Sequence, residues 1–395
     1  MAKLSQFNFP LTNANIALYP HTSEHVIKNG RKKTTFYVKR PDECNLVIVQ
    51  RKTGKVFLHK IDRKGKSIRD EEGNKIPLKF SDILDFFDEG DTFVFNDTKV
   101  MPARLYSRKE KTDAKIEVFL LRELNADMRL WDVLVEPARK IRIGNKLFFD
   151  DETLVAEVID NTTSRGRTLR FLHDYSHDEF KKRLYSLGQP PLPRYIMDLR
   201  AKENKKNHID IEEEPEDFQC IYAANEGAVT APSTGLHFTR QMMKRIDING
   251  INSAFITLHC GLSNFQMIDV EDLSKHKPES EEMYVNAETC KLVNDTKRSG
   301  HKVCAIGAST LKAMETCVGT DGFIKEYSGW TSKFIFPPYD FGSADCFLTN
   351  FYHPMSPMMM EACAFGGYEA VMSAYKQALK AGFKFGCFGD ALLII

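Results

Sequence analysis

The sequence predicts an α/β fold: a discontinuous α/β domain, residues 1–77 and 176–395, with an inserted small β-barrel domain, residues 78–175. Three observations lead there. Between Asp91 and His173 short apolar and β-branched runs alternate with turn residues, the pattern of a small barrel or sandwich. After Tyr222, β-type and helix-type segments take turns, the pattern of a largely parallel sheet covered by helices. The β region interrupts that alternation, so the α/β domain is discontinuous in sequence.

Taken in order, residues 21–40 are polar and basic with one Gly, and read as a loop. His21 and His25 stand four apart, a ligand spacing on a helix, but no further ligand follows and no metal site is expected. Residues 45–49 and 56–59 flank Lys52-Thr53-Gly54 as a hairpin. Residues 80–87 read as a short helix with Ser81 at its N-cap. Barrel strands are expected at 91–96, 115–122, 130–136, 146–150, 154–159 and 167–173, separated by turns such as Gly144-Asn145 and Ser164-Arg165-Gly166. Residues 180–187 form a helix that Gly188 and the following prolines stop. The charged stretch 198–216 is expected to be a surface loop. Beyond it, helices are expected at 240–248 (capped by Thr239), 287–299, 311–317 and 366–381, with strands at 251–258 and 303–306.

Composition narrows the function. The 395 residues carry 55 Lys and Arg against 54 Asp and Glu, a net charge of +1, which excludes a general nucleic-acid coat and leaves room only for local basic patches. Such patches stand at Arg31-Lys32-Lys33, 108–111, 139–146 and 202–206. No apolar run approaches the ~20 residues of a membrane span, and the first residues lack a signal-peptide core, so a cytoplasmic address is expected. The nine cysteines include no C-x-x-C pair and read as reduced packing residues.

Five segments carry the candidate chemistry. Asn96-Asp97-Thr98, followed by Lys99 and Arg104, ends an apolar strand with groups suited to hydroxyls and anions, and equally fits an Asx-turn. Thr230, Ser233, Thr234 and His237 lie in a small-residue segment before a helix start, where backbone approaches a ligand closely or forms a buried turn. His259 follows a buried strand, where α/β folds place ligands. Cys260 beside it lacks a cation or helix start to activate its thiol. Ile306-Gly307-Ala308-Ser309-Thr310 is a strand–turn–helix junction without the G-x-G-x-x-G spacing, which disfavours an ordinary methyltransferase. Near the end, Leu348-Thr349-Asn350-Phe351 and Gly389-Asp390-Ala391 set polar residues beside apolar runs, and Met358-Met359-Met360 reads as packing.

Together these segments resemble the S-adenosylmethionine:tRNA ribosyltransferase-isomerase family of queuosine biosynthesis, of which the chain is identified as a divergent member. The matching pieces are FNDTKVMPARL, Trp131-Asp132, EPARK, LGQPPLPRYI, Tyr222-Ala223, EGAVTAPSTGLHFT, TLHCGL, His276-Lys277, Gly329-Trp330-Thr331, LTNF and Gly389-Asp390-Ala391, in order over nearly the whole chain. The resemblance implies an α/β domain with an inserted β-barrel. It implies transfer and isomerisation of the ribosyl group of S-adenosylmethionine onto 7-aminomethyl-7-deazaguanine in a tRNA anticodon loop. Epoxyqueuosine-tRNA forms, and adenine and methionine leave. S-adenosylmethionine is then a co-substrate, no prosthetic group or metal is called for, tRNA is the partner, and a monomer is expected.

The chemistry needs a base for a C–H beside a sulfonium and an acid for departing adenine. The resemblance points to His237 and His259 for those tasks. It points to Asn96, Asp97, Thr98, Arg104, Thr230, Ser233, Thr234, Lys312 and Asn350 for binding substrate, with Arg104 holding an anion. Against the family pattern, Asn45, Gln266, Glu279, Lys312 and Tyr352 stand where Arg, His or other residues are usual. Lys cannot reproduce the Arg fork. A paralogue with another acceptor, or a silent RNA-binding scaffold, fits those departures.

Overall fold

A computed structural model of the protein describes residues 2–29, 32–62, 65–149, 153–163, 165–207, 215–261 and 268–395. The chain divides into two units, one of Met1–Thr98, Arg194–Asn225 and Ala231–Ile395, the other of Lys99–Pro193 and Glu226–Thr230.

Along the chain, β1 (Thr22–Asn29) and β2 (Lys32–Lys39) pair antiparallel, with Thr22 opposite Lys39. Residues 22–29 and 32–39, part of a segment expected as a loop, are therefore strands of a ribbon, in keeping with their β-branched Thr, Val and Ile. Next come β3 (Leu46–Gln50), β4 (Lys55–Phe57), β5 (Thr92–Asn96) and β6 (Thr98–Val100). The barrel strands are β7 (Arg104–Lys109), β8 (Lys115–Asn125), β9 (Leu130–Glu136), β10 (Lys146–Phe149), β11 (Leu154–Asn161) and β12 (Gly166–Leu172), followed by helix α1 (His177–Ser186). Then follow α2 (Arg194–Asn207), β13 (Asn225–Ala228), α3 (Arg240–Ile248), β14 (Asn252–Leu258), β15 (Glu281–Val285), α4 (Ala287–Arg298), β16 (Val303–Ile306) and α5 (Ala308–Cys317). The chain closes with β17 (Tyr327–Thr331), β18 (Cys346–Asn350), α6 (Pro357–Gly366), α7 (Tyr368–Lys380) and β19 (Ala391–Ile394).

Nine strands form one sheet in the order β17-β15-β14-β5-β16-β18-β19-β3-β4. Its centre is parallel: β14 and β16 flank β5, and β18 follows β16. The outer pairs β14–β15, β15–β17 and β3–β4 are antiparallel, so the sheet is mixed at its edges. All five residues of β5 are buried, as expected of a strand covered on both faces. Phe93 and Phe95 pack with Phe80, Phe238 and Ile246, and the Phe95 and Phe238 rings meet edge-on at 5.0 Å. Each such side chain contributes about 1.5–3 kcal/mol on burial.

The barrel closes as β10-β11-β12-β9-β8-β7. On β9, Trp131, Val133 and Val135 turn inward, at 1% exposure or less. Six strands were expected and six are present, with one exchange. Residues 91–96 belong to the large sheet, and Arg104–Lys109 supplies the sixth barrel strand. Full burial gives β5 no alternation by which to assign it. The unit that holds the barrel comprises Lys99–Pro193 and Glu226–Thr230, where an insertion at 78–175 was expected.

Three further differences have local causes. The segment 198–216 was expected as a loop, but helix α2 runs to Asn207 and a 3-10 turn covers Pro215–Phe218; residues 208–214 lie outside the described residues. Ile196 is fully buried on α2, and the Arg200 guanidinium donates to the Leu18 carbonyl at 2.9 and 2.6 Å and lies over the Tyr19 ring. Those contacts override the low hydrophobicity. The helix expected at 366–381 is α7, and an unexpected helix, α6, precedes it, with Gly367 at φ +83° separating the two. Residues 80–86 form a 3-10 helix whose Asp82 carboxylate accepts from Lys79 N–H at 2.9 Å, in place of a Ser81 cap. Thr239 does cap α3, accepting from Met242 N–H at 3.1 Å. Among the described residues no helix is long and apolar enough to cross a membrane, and no group of three His, Cys, Asp or Glu is placed to hold a metal.

Candidate active site

Strands β14, β5, β16 and β18 run in one direction, so their carboxyl ends share one edge of the sheet. Open α/β sheets bind ligands at that edge. The segments leaving it carry Asn96-Asp97-Thr98, His259-Cys260-Gly261, Gly307-Ala308-Ser309 and Asn350-Phe351-Tyr352.

Asn96 is the knot of the first three. Its Oδ1 accepts from the backbone N–H of Thr98 and Leu258 at 3.1 and 3.0 Å. Its Nδ2 donates to the Leu258 carbonyl and to Ser309 Oγ, both at 2.9 Å. The side chain is buried and its capacity is filled by protein, so it fixes three strand ends together. Asp97 keeps its carboxylate at the edge, where Thr257 Oγ1 and Asn225 Nδ2 donate at 2.6 and 3.0 Å. Thr98 Oγ1 meets His259 Nδ1 at 2.8 Å. The His259 ring is half-buried, and Tyr284 stands edge-on 6.1 Å away. Cys260 is buried and its thiol is pushed up to about 12, first by burial and then by Glu281, which removes it as a nucleophile. All nine cysteines are buried and free, as packing residues.

Past β16, Gly307 takes φ +88° at the start of α5, and a Cβ there would stand 3.5 Å from Thr234. Glycine thus gives both the turn and the close approach of the Ser233–His237 segment. Lys312, on the second turn of α5, bonds Glu281 Oε2 at 2.6 Å. Burial works to lower the Lys312 ammonium pKa, but the Glu281 carboxylate more than offsets this and the pKa ends raised. Glu281 Oε1 accepts from Gly261 N–H at 2.8 Å, which ties this pair to the His259 loop. Lys312 and Ser309 line a small cavity with His276, Lys333 and Glu361. Burial pushes the Glu361 carboxyl up to about 8; Glu315 and Glu281 add to the shift and Lys312 opposes it.

His237 and Asn350 form a separate cluster at the end of β18. Asn350 Nδ2 donates to the Gly386 and Cys387 carbonyls at 3.3 and 3.1 Å, which turns its Oδ1 to His237 Nε2 at 3.2 Å. Because Oδ1 only accepts, Nε2 carries the proton. Nδ1 then takes the Cys44 thiol at 3.4 Å, and the Pro41 carbonyl at 3.2 Å is the acceptor a doubly protonated ring would use. Ser233 Oγ bonds Tyr352 Oη at 2.9 Å. His237 also lines an open cleft of about 580 Å³ with His21, Pro41, Thr239 and Arg240.

The structure therefore links His259, Thr98, Asn96 and Ser309 by hydrogen bonds, with Lys312 tied to the same loop through Glu281 and Gly261 N–H. It sets the His237–Asn350 and Ser233–Tyr352 pairs apart from that network, while Thr234 Oγ1 is buried without a hydrogen-bond partner. Arg104 and Thr230 lie in the barrel unit. The buried Arg104 guanidinium is taken by Glu117 and by the Leu192 carbonyl at 2.9 Å. Asn45, at a departure from the family pattern, is held by Asp390 through backbone and side chain at 2.7 and 3.2 Å; Gln266 lies outside the described residues.

Burial holds the His237 pKa down at about 4, against 6.5 for an ordinary His. The folded state thus prefers the neutral ring. That stability is complete above pH 6.5 and is lost as pH falls from 6.5 towards 4, roughly 3 kcal/mol in all. Glu361 works the opposite way, since its raised pKa favours folding as pH falls from 8, so the wild-type profile alone mixes the two. The expected result is that the urea-unfolding gap between wild type and His237→Gln narrows by roughly 2–3 kcal/mol from pH 7 to pH 4.5. A constant gap would mean that the ring is not held neutral.

A family profile described as queuosine biosynthesis protein matches residues 4–394. The chain belongs to that family. An S-adenosylmethionine:tRNA ribosyltransferase-isomerase of Phocaeicola vulgatus is 55% identical, over 100% of this chain and 99% of its own. The protein of that name from Parabacteroides distasonis is 53% identical over 100% of both chains. The crystal structure of an S-adenosylmethionine tRNA ribosyltransferase from Thermotoga maritima aligns over 99% of this chain and 100% of its own, at 25% identity and a TM-score of 0.48.

Within this member of the queuosine biosynthesis family, two edge residues escape sequence reasoning. Glu281 shares the inward face of β15 with Met283 and Val285, but the strand opens on two adjacent acids, Glu281 and Glu282, which masks that placement in the sequence. Glu361 had a signal, a lone acid inside the otherwise apolar helix segment PMMMEACAFG.

Proposed function

We propose that the protein is an S-adenosylmethionine:tRNA ribosyltransferase-isomerase. It moves the ribosyl group of S-adenosylmethionine to 7-aminomethyl-7-deazaguanine in a tRNA anticodon loop and isomerises it, giving epoxyqueuosine-tRNA, adenine and methionine. The observation that carries this reading is the full-length identity of 53–55% to relatives of that name. The polar network at the sheet edge supports it, because the reaction needs acid–base groups and fixed hydroxyl partners in one place. In this reading the enzyme works in the cytoplasm as a monomer, without a prosthetic group.

His259 is the acid–base residue: its ring is half-buried at the edge and Thr98 fixes its Nδ1. His237 is a positioning residue, since protein groups already face both ring nitrogens and the side chain is 2% exposed. Asp97 and Thr98 hold ribose hydroxyls, and Asn96 keeps them in place. Ser233, Thr234 and Asn350 shape the donor side, and Lys312, paired with Glu281, steadies the His259 loop through Gly261 N–H. Arg104 and Thr230 build the barrel unit, whose basic segments 108–111 and 139–146 offer phosphate contacts.

Incubation with S-adenosylmethionine and precursor-bearing tRNA is expected to release adenine and methionine in equal amounts and to yield the modified nucleoside. Adenine release without a tRNA product would replace this reading by another acceptor. Tight tRNA binding without adenine release would replace it by a silent scaffold.

A further inference from the structure

Between α5 and α6 lies a small, partly open cavity of about 30 Å³, with room for a water-sized group. Glu361 lines it from α6. The residue is 95% buried by its 5% exposure, and its Oε1 has no hydrogen-bond partner. A buried carboxyl oxygen without a donor is costly, and a native structure keeps one where something is meant to meet it. The neighbouring charges are already committed. Lys312 is bonded to Glu281, Glu315 is held by Ser343 and by Gly342 N–H, and Lys333 bonds Tyr339 Oη at 3.2 Å. Lys312 and Glu281 cancel, so the cavity presents a carboxyl with unused capacity for a small cation. Ser309 Oγ, which accepts from Asn96, lines the same cavity and joins it to the His259 network.

We propose that Glu361 anchors the α-ammonium group of the methionine moiety of the donor in this cavity. The assignment rests on the reading of S-adenosylmethionine as the donor. An ammonium group has the size of water and three donors, and fits a space that admits one such group beside an unpartnered acceptor. Ala308 and Ser309, which line the cavity, open α5, and the positive end of that helix favours the charge that an adjoining α-carboxylate would bring.

A proton accompanies binding. Free at pH 7, Glu361 is mostly the neutral acid, since burial and the Glu315 and Glu281 carboxylates oppose its charge while Lys312 favours it. Of the other titratable groups at the cavity, His276 is held below its usual pKa, first by burial. An arriving ammonium keeps its three protons and stabilises the carboxylate, so Glu361 gives its own proton to the buffer.

The test is calorimetric titration of the full chain with S-adenosylmethionine at pH 7 in buffers of different ionisation enthalpy. Wild type is expected to release about one proton. Glu361→Gln, which keeps the shape, is expected to lose that release and to bind about 10- to 100-fold more weakly. S-adenosylhomocysteine keeps the ammonium but lacks the sulfonium, and should show the same loss. 5′-Methylthioadenosine lacks the amino acid and should bind both proteins equally. A loss seen with S-adenosylmethionine but not with S-adenosylhomocysteine would overturn the ammonium in favour of the sulfonium. Equal weakening of 5′-methylthioadenosine would make Glu361 merely structural. If both proteins bind the donor equally, this inference falls and the donor reading stands; if wild type binds no donor, both fall.

Discussion

Replacing His259 by alanine is expected to slow turnover at least ~100-fold, with the affinity for S-adenosylmethionine little changed. The loss belongs in kcat because an acid–base group acts on the moving proton. The control is Thr98→Val, which removes the hydroxyl from His259 Nδ1 at nearly constant volume. It should cost less, on the order of 10-fold in kcat, since the tautomer is no longer held. Single-turnover adenine release measures both. A rate for His259→Ala within a few-fold of wild type excludes this ring as acid or base. His237→Ala is expected to behave differently, losing stability along with rate, because the 2%-exposed ring fills a space against Phe80 and holds Asn350.

What the sequence disclosed and what it hid follow one physical division. Signals carried by a single local rule were legible. Thr239 capping α3, the hairpin around Lys52-Thr53-Gly54, and His259 just past a buried strand all depend on neighbours in sequence. Features set by distant contacts were not. Strand β5 is apolar on both faces, so no period distinguishes a barrel strand from a central sheet strand; its two parallel neighbours come from beyond residue 250. Helix α2 looks solvated until Arg200 finds the Leu18 carbonyl across 182 positions of sequence. The site divided the same way. His259 was visible as a residue type at a favoured place, whereas the use of Glu281 depends on Lys312, 31 positions on.

That last pair gives the largest expected effect on stability. Glu281 is 3% exposed and Lys312 is bonded to it at 2.6 Å. Taking two charges out of water is expensive, and the pair's mutual attraction only offsets the cost. Removing one partner therefore leaves the other charge buried without it. Lys312→Met is expected to lower the unfolding free energy by about 3–5 kcal/mol. Lys312→Met combined with Glu281→Leu should recover most of that loss, because neither charge then remains. Urea unfolding followed by circular dichroism at pH 7 reads all three proteins and the coupling between the two positions. A cost below about 1 kcal/mol for the single variant would show that the ammonium is solvated, as exposed pairs are. The consequence reaches the site as well. Lys312 opposes the rise in the Glu361 pKa, so without it Glu361 holds its proton more firmly, and the proton released on donor binding must be taken against a higher pKa. The buried pair thus sets both the rigidity of the edge and the charge state of the cavity beside it.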